Sequence, residues 1–217
     1  MDFDSLIGGE RAGRLRAIFE RCLVDVYTEN CGRFSDDLGD NNLTFAVTVI
    51  HNLRHLLEEA LEDEPGITIS RPSNSFQIEI DRRLTVHFYK ARTGPADVGE
   101  IRFDESKKKL QLIADNSAQL ALFSDDDQAL GAVEPRHLVV VHAGTPTLGL
   151  VGASIGAPHF SAVAGPSWLW RVQLDDGSPL SAAATSTASA WADDASLPEL
   201  IVELKPGAAE RRADEAS

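Results

Sequence analysis

Two cysteines, one methionine and two tyrosines among 217 residues leave little for several kinds of chemistry. Cys22 and Cys31 are too few for the disulfide framework of a small secreted domain, and their spacing fits no common zinc pattern. No apolar run approaches the length of a membrane span. The opening MDFDSLIGGE places acids where a signal peptide needs bases and has no apolar centre, so the expected location is the cytoplasm. Bases are also short: 20 Lys and Arg stand against 34 Asp and Glu, a formal net charge of −14. A protein that gains affinity by neutralising phosphates needs the opposite balance, which argues against sequence-independent nucleic-acid binding and against docking on an anionic membrane. A basic partner protein, or solubility alone, suits this charge better. The chain carries no P-loop, no G-x-G-x-x-G after a strand and no C-x-x-C, so no nucleotide cofactor or other cofactor is expected.

What the chain does contain is concentrated between Arg136 and Leu174, the densest apolar run with the most Gly and Pro punctuation. His137 to Ala143 is a short β-branched run bounded by Pro135 and Gly144, the pattern of a strand buried on both faces. Gly144 to Gly149 supplies turn chemistry, and Leu150 to Ile155 reads as a second strand with Gly152 inside it. After a loop over 156–167, Trp168, Trp170, Val172 and Leu174 alternate with polar or smaller neighbours and are expected on one core-facing side. Three such strands form an antiparallel meander.

Upstream, Leu15, Ile18, Phe19, Cys22, Leu23 and Val26 make one apolar stripe and predict a helix over about 10–28. Asn30 to Asp40 reads as a loop. Asn41 or Asn42 can cap a second helix over about 42–63, stopped by Pro65-Gly66. Its stripe is Ala46, Val49, Ile50, Leu53, Leu56, Leu57, Ala60 and Leu61, with His51, His55, Glu58 and Glu59 on the opposite face. From Gly66 the period becomes two: Phe76, Ile78 and Ile80, then Leu84, Val86 and Phe88, joined at Asp81-Arg82-Arg83 as a hairpin. A second hairpin is expected from Ile101 and Phe103 against Leu110 and Leu112, turning at the charged run Asp104 to Lys109. Asn116 to Phe123 fits a short helix or an extended run equally well. Residues 175–196, rich in Ala, Ser, Thr and Asp, read as a flexible linker. Residues 197–217 hold an apolar strand-like segment, Leu197 to Lys205, and a charged tail.

Three chemical readings compete with structural ones. His51 and His55 share a helix face at metal-ligand spacing, with Glu58 in reach and His87 or His142 as candidates for a third ligand. The zinc-protease motif needs a glutamate after the first histidine, where Asn52 stands, so a solvated polar face explains the pair as well. Glu79 and Asp81, followed by Glu105-Ser106-Lys107, loosely match the acid, acid and lysine of a metal-dependent nuclease, yet the latter three sit at an expected hairpin tip. Ser154, in G-A-S-I-G with His142 and His159 nearby, lacks the helix that a nucleophile elbow requires.

These features predict a single α+β domain over 1–174. Two N-terminal amphipathic helices pack on a mostly antiparallel sheet of six to seven strands lying within 67–174, with a further strand in the tail. The expected function is that of a non-enzymatic protein-binding or accessory module, in a defence or toxin-neutralisation setting. It would act through a protein partner or self-association, at the tail residues Leu197, Leu200, Ile201, Val202 and Leu204. The alternative is a metal-dependent hydrolase or nuclease using His51 and His55, or Glu79 and Asp81.

Overall fold

The computed structural model describes residues 2–72, 75–91, 106–121, 134–161 and 165–174. The expected linker and tail, including Leu197 to Leu204, lie outside them. A short helix α1 (Phe3–Ile7) precedes the long helix α2 (Gly9–Arg33). Gly8, at φ 86°, makes the bend between the two. After a single 3-10 turn at Asp36–Leu38 comes α3 (Asn42–Ala60). Asn41 caps it, its Oδ1 accepting from the N–H groups of Leu43 at 2.9 Å and Thr44 at 3.1 Å.

Among the described residues six strands follow: β1 (Ile67–Ser70), β2 (Gln77–Ile80), β3 (Leu84–Lys90), β4 (His137–Thr145), β5 (Gly149–Ser161) and β6 (Gly165–Gln173). They form one sheet in sequence order, antiparallel at every pair except β3 and β4. Those two run parallel, as two strands separated by a crossover helix can. The helix is α4 (Lys107–Ala121), inserted between them.

The sheet therefore has two unlike faces. Alternate residues Ile78, Ile80, Leu84, Val86, Leu138, Val140, Ala153 and Ile155 join the α1–α3 side in one large apolar core. Phe19, Leu23, Val49, Leu53 and Leu57 meet them from the helices. Fully burying each such side chain contributes about 1.5–3 kcal/mol. On the other side Val139, Val141 and Ala143 pack with Ile113 of α4 in a much smaller cluster. The strand expected to be buried on both faces is β4.

Several sequence expectations are corrected. The segment from Asn30 is not all loop, because α2 continues to Arg33. There is no hairpin arm at Leu110 and Leu112, which belong to α4. Ser106 starts that helix, its Oγ accepting from the Lys109 N–H at 3.2 Å. Asn116 lies in the same helix, which settles that stretch as helix through Ala121, while Leu122 and Phe123, like Ile101 and Phe103, are outside the described residues. The loop expected over 156–167 is largely strand, since β5 runs through Pro158 to Ser161. The register shifts between Ala157 and Pro158, where proline's missing donor is tolerated. That shift also separates the tryptophans: Trp168 packs on the Val139 and Val141 side, whereas Trp170 and Val172 pack with the large core. Ile50, placed by periodicity in the buried stripe of α3, is 37% exposed.

Candidate binding site

Strand β2 begins at Gln77, opposite His87, so β3 continues past its neighbour from Phe88 to Lys90. A cavity of about 400 Å³ lies there. It is lined by consecutive residues His87, Phe88, Tyr89 and Lys90. Successive strand residues point to opposite faces, so a cavity touching all four opens onto the strand edge rather than onto either face. Helix α3 supplies Ile50, Leu53 and Arg54 from one side, and Lys108 of α4 comes from the other. Phe76 and Ser75 close it next to β2, and His142 completes the lining. Among its described lining residues stand three cations and no carboxylate, which is unexpected in a chain of net charge −14. Burial pushes the Lys90 ammonium below its ordinary range, which marks it as partly desolvated.

Periodicity fixes why α3 leads to this cavity. Its buried stripe is Phe45, Val49, Leu53 and Leu57. A second apolar set, Leu43, Val47 and Ile50, recurs at four- and three-residue spacing and stays 72%, 58% and 37% exposed. Leu38, just before the helix, is 86% exposed. Ile50 belongs both to this exposed stripe and to the cavity lining.

Behind the cavity, on the α4 face, lies a chain of polar groups. His87 Nε2 is 3.2 Å from His137 Nδ1, and His137 Nε2 is 3.5 Å from Asp115 Oδ2. Tyr89 stacks parallel to His87 on the same face, with Lys109 Nζ 5.2 Å from the Tyr89 ring centre. Burial, aided by His137 and Lys108, lowers His87 to about 3, so it is neutral at ordinary pH. Burial lowers His137 too, against the opposing pull of Asp115. The backbone here is anchored by Asn116. Its side-chain amide donates to the carbonyls of His137 at 2.9 Å and Pro158 at 2.7 Å, and its Oδ1 accepts from the N–H groups of Arg136 and His137. At the opposite end of the parallel pair, a recess of about 570 Å³ holds Arg82, Arg83 and Arg136 beside Glu134. Glu134 pairs with Arg83 at 3.1 Å.

The residues singled out in the sequence fall elsewhere. His51 and His55 are exposed on α3, and Glu58 is held by Arg71 in an ion pair. Among the described residues no group of three or more His, Cys, Asp or Glu is placed to hold a metal ion. Asp81 pairs with Arg11 at 2.6 Å, Glu79 lies on β2, Lys107 begins α4 and Glu105 is outside the described residues. Ser154 is buried opposite Val141, whereas His142 pairs with Ala153 and turns to the other face, where Tyr27 Oη lies 2.9 Å from its Nδ1. Serine and histidine are thus on opposite sides of the sheet. His159 meets Ser167 instead, at 3.2 Å. Cys22 is buried in the α2 stripe, and burial pushes its thiol up to about 11, the state of an unreactive side chain.

The cavity brings together Arg54, Lys90 and Lys108, none of which stood out in sequence. The one available signal was Lys107-Lys108-Lys109, a basic run in an acidic chain, which the expected hairpin turn had absorbed. Comparison with protein-family models, with curated proteins and with solved structures finds no match.

Proposed function

We propose that this chain is a protein-binding module that takes an extended, apolar and acidic segment of a partner protein along the part of the β3 edge on the β2 side, Phe88 to Lys90, that no described strand pairs. The observation that supports it is the exposed stripe Leu43, Val47 and Ile50 running into a cavity lined by Arg54, Lys90 and Lys108 without a described carboxylate. Strand addition at an open edge obtains affinity from main-chain hydrogen bonds and specificity from pockets for alternate side chains. Here the edge is Phe88 to Lys90, with apolar pocket walls at Ile50, Leu53 and Phe76. Lys90, partly desolvated, holds a carboxylate more strongly than a surface lysine does, because the local dielectric is lower. The acidic remainder of the surface repels anions at long range, so the fitting partner is neutral or basic overall with a short acidic segment. Neutralising a toxin or serving a defence system is one setting for such a module.

The alternative, a metal-dependent hydrolase or nuclease, draws no supporting observation from His51, His55, Glu58, Glu79 or Asp81. The module reading is tested by titrating the isotope-labelled full chain with a synthetic peptide of alternating Leu and Glu, and with its Leu and Lys counterpart. Amide shifts along α3 and at Phe88 to Lys90, for the acidic peptide alone, support it. Equal binding of both peptides, or shifts confined to other surfaces, would sink it.

A further inference from the structure

The hairpin between β2 and β3 holds two residues in a conformation that L side chains rarely adopt, Asp81 at φ 54° and Arg82 at φ 56°. Hairpin positions of this kind commonly take asparagine and glycine. Asp81 is accounted for: a short polar side chain tolerates this conformation, and its Oδ2 pairs with Arg11 at 2.6 Å. Arg82 gains no such contact. It is exposed, and its side chain has no hydrogen bond or ion pair among the described residues. What it does is line the recess of about 570 Å³ where β3 and β4 begin. Backbone strain that no contact offsets collects at functional positions.

The rest of the recess points the same way. Arg136 lines it with a side chain likewise unpaired among the described residues, on a backbone that is fixed. Its carbonyl accepts from the Thr85 N–H at 2.8 Å, and its own N–H donates to Asn116 Oδ1 at 3.0 Å. Arg83 is taken up by Glu134 at 3.1 Å and by the Leu6 carbonyl, so that ion pair cancels and the charges of Arg82 and Arg136 remain. Two guanidiniums match a phosphate monoester, a dianion that arginine grips through paired N–H donors. His137 also lines the recess, but both its ring nitrogens are engaged, by His87 and by Asp115. Among the described lining residues there is no Phe, Tyr or Trp to stack a nucleobase or cover a lipid chain. The Thr85 hydroxyl and the Glu134 carboxylate suit hydroxyl groups instead. The volume exceeds that of a bare phosphate and falls among small-molecule pockets. A net charge of −14 opposes a long polyanion, but not one phosphate met at short range by two guanidiniums. We infer that this recess is a second ligand site, separate from the β3-edge cavity, that takes a small hydroxyl-bearing phosphate monoester with its phosphate on Arg82 and Arg136.

The test is calorimetric titration of the full chain with ribose 5-phosphate, ribose, inorganic phosphate and a phosphoserine peptide blocked at both ends, with amide shifts to locate binding. Ribose 5-phosphate is expected to shift Arg82 to Thr85 and Glu134 to His137, and to bind at least about tenfold more tightly than inorganic phosphate or ribose. R82G and R136Q should each weaken it at least about tenfold, through loss of one charge-assisted contact. R82G also separates binding from folding. Glycine relieves the positive φ, so the denaturant midpoint should hold or rise while affinity falls. Native affinity in both variants, or a lowered midpoint with native affinity in R82G, would make the arginines structural and overturn the site. Ribose binding as tightly as its phosphate, or shifts confined to other surfaces, also overturns it. Inorganic phosphate binding as tightly as ribose 5-phosphate overturns the hydroxyl-bearing body in favour of a plain anion site. Tighter binding of the phosphoserine peptide overturns the small molecule in favour of a phosphorylated protein segment. All these outcomes are independent of peptide binding at the β3 edge.

Discussion

The two faces of the sheet are built on different physics. The α1–α3 face is apolar and continuous, and its one buried histidine, His142, is matched by the Tyr27 hydroxyl. The α4 face has a small apolar cluster, a histidine pair, an asparagine with four hydrogen bonds and a cavity at its margin. Hydrophobic burial is non-directional and adds up with area, so the first face supplies stability. Hydrogen bonds contribute little net stability but fix geometry, so the second holds α4 and its cations in place.

The contrast can be broken by substitution. Phe19→Ala empties the large core beside Phe88 and should cost about 3–5 kcal/mol in denaturant unfolding. Ile113→Ala on the α4 face should fall toward the lower end of the range for such truncations, about 2 kcal/mol. If Ile113→Ala cost as much as Phe19→Ala, the faces would not differ as described. Asn116→Ala strands backbone partners at His137, Arg136 and Pro158. It is expected to cost about 1–3 kcal/mol and to raise amide exchange in α4 more than in α2. Exchange rising equally in both helices would show that α4 is not separately held.

The pH dependence is a smaller effect near neutrality. His87 and His142 are both lowered by burial to about 3, from an ordinary value of 6.5. Between those values the unfolded chain binds more protons than the folded one, so stability is full above about pH 6.5 and falls as pH drops toward 3. Each histidine contributes a slope of about 1.4 kcal/mol per pH unit inside that window. Denaturant midpoints from pH 7.5 to 4.5 check this, and replacing His87 with Phe should reduce the slope by about 1.4 kcal/mol per pH unit. An unchanged slope in that variant would mean that His87 is not held neutral.

Much of the architecture was legible because period reports burial. The stripe from Leu15 to Val26 located α2, and alternation at Ile78, Ile80, Leu84 and Val86 located the β2–β3 hairpin. Helix α4 was misread because Leu110 and Leu112 continue a two-residue alternation. In the helix Leu110 points outward and Leu112, Ile113 and Asn116 face inward. Ser106 as a cap was the overlooked signal. The parallel pairing of β3 with β4 follows from that helix and was lost with it. The cavity was not legible at all, since Arg54, Lys90 and Lys108 stand on three separate elements that only the fold brings together.

The central claim is that the cations at the β3 edge select an acidic segment. It is met most directly by charge reversal: calorimetric binding of the Leu and Glu peptide and of the Leu and Lys peptide to the native chain and to the double variant Lys90→Glu, Lys108→Glu. The expected result is a preference for the acidic peptide that reverses in the variant, with the fold unchanged by circular dichroism. A preference for the acidic peptide that survives the reversal would contradict the claim.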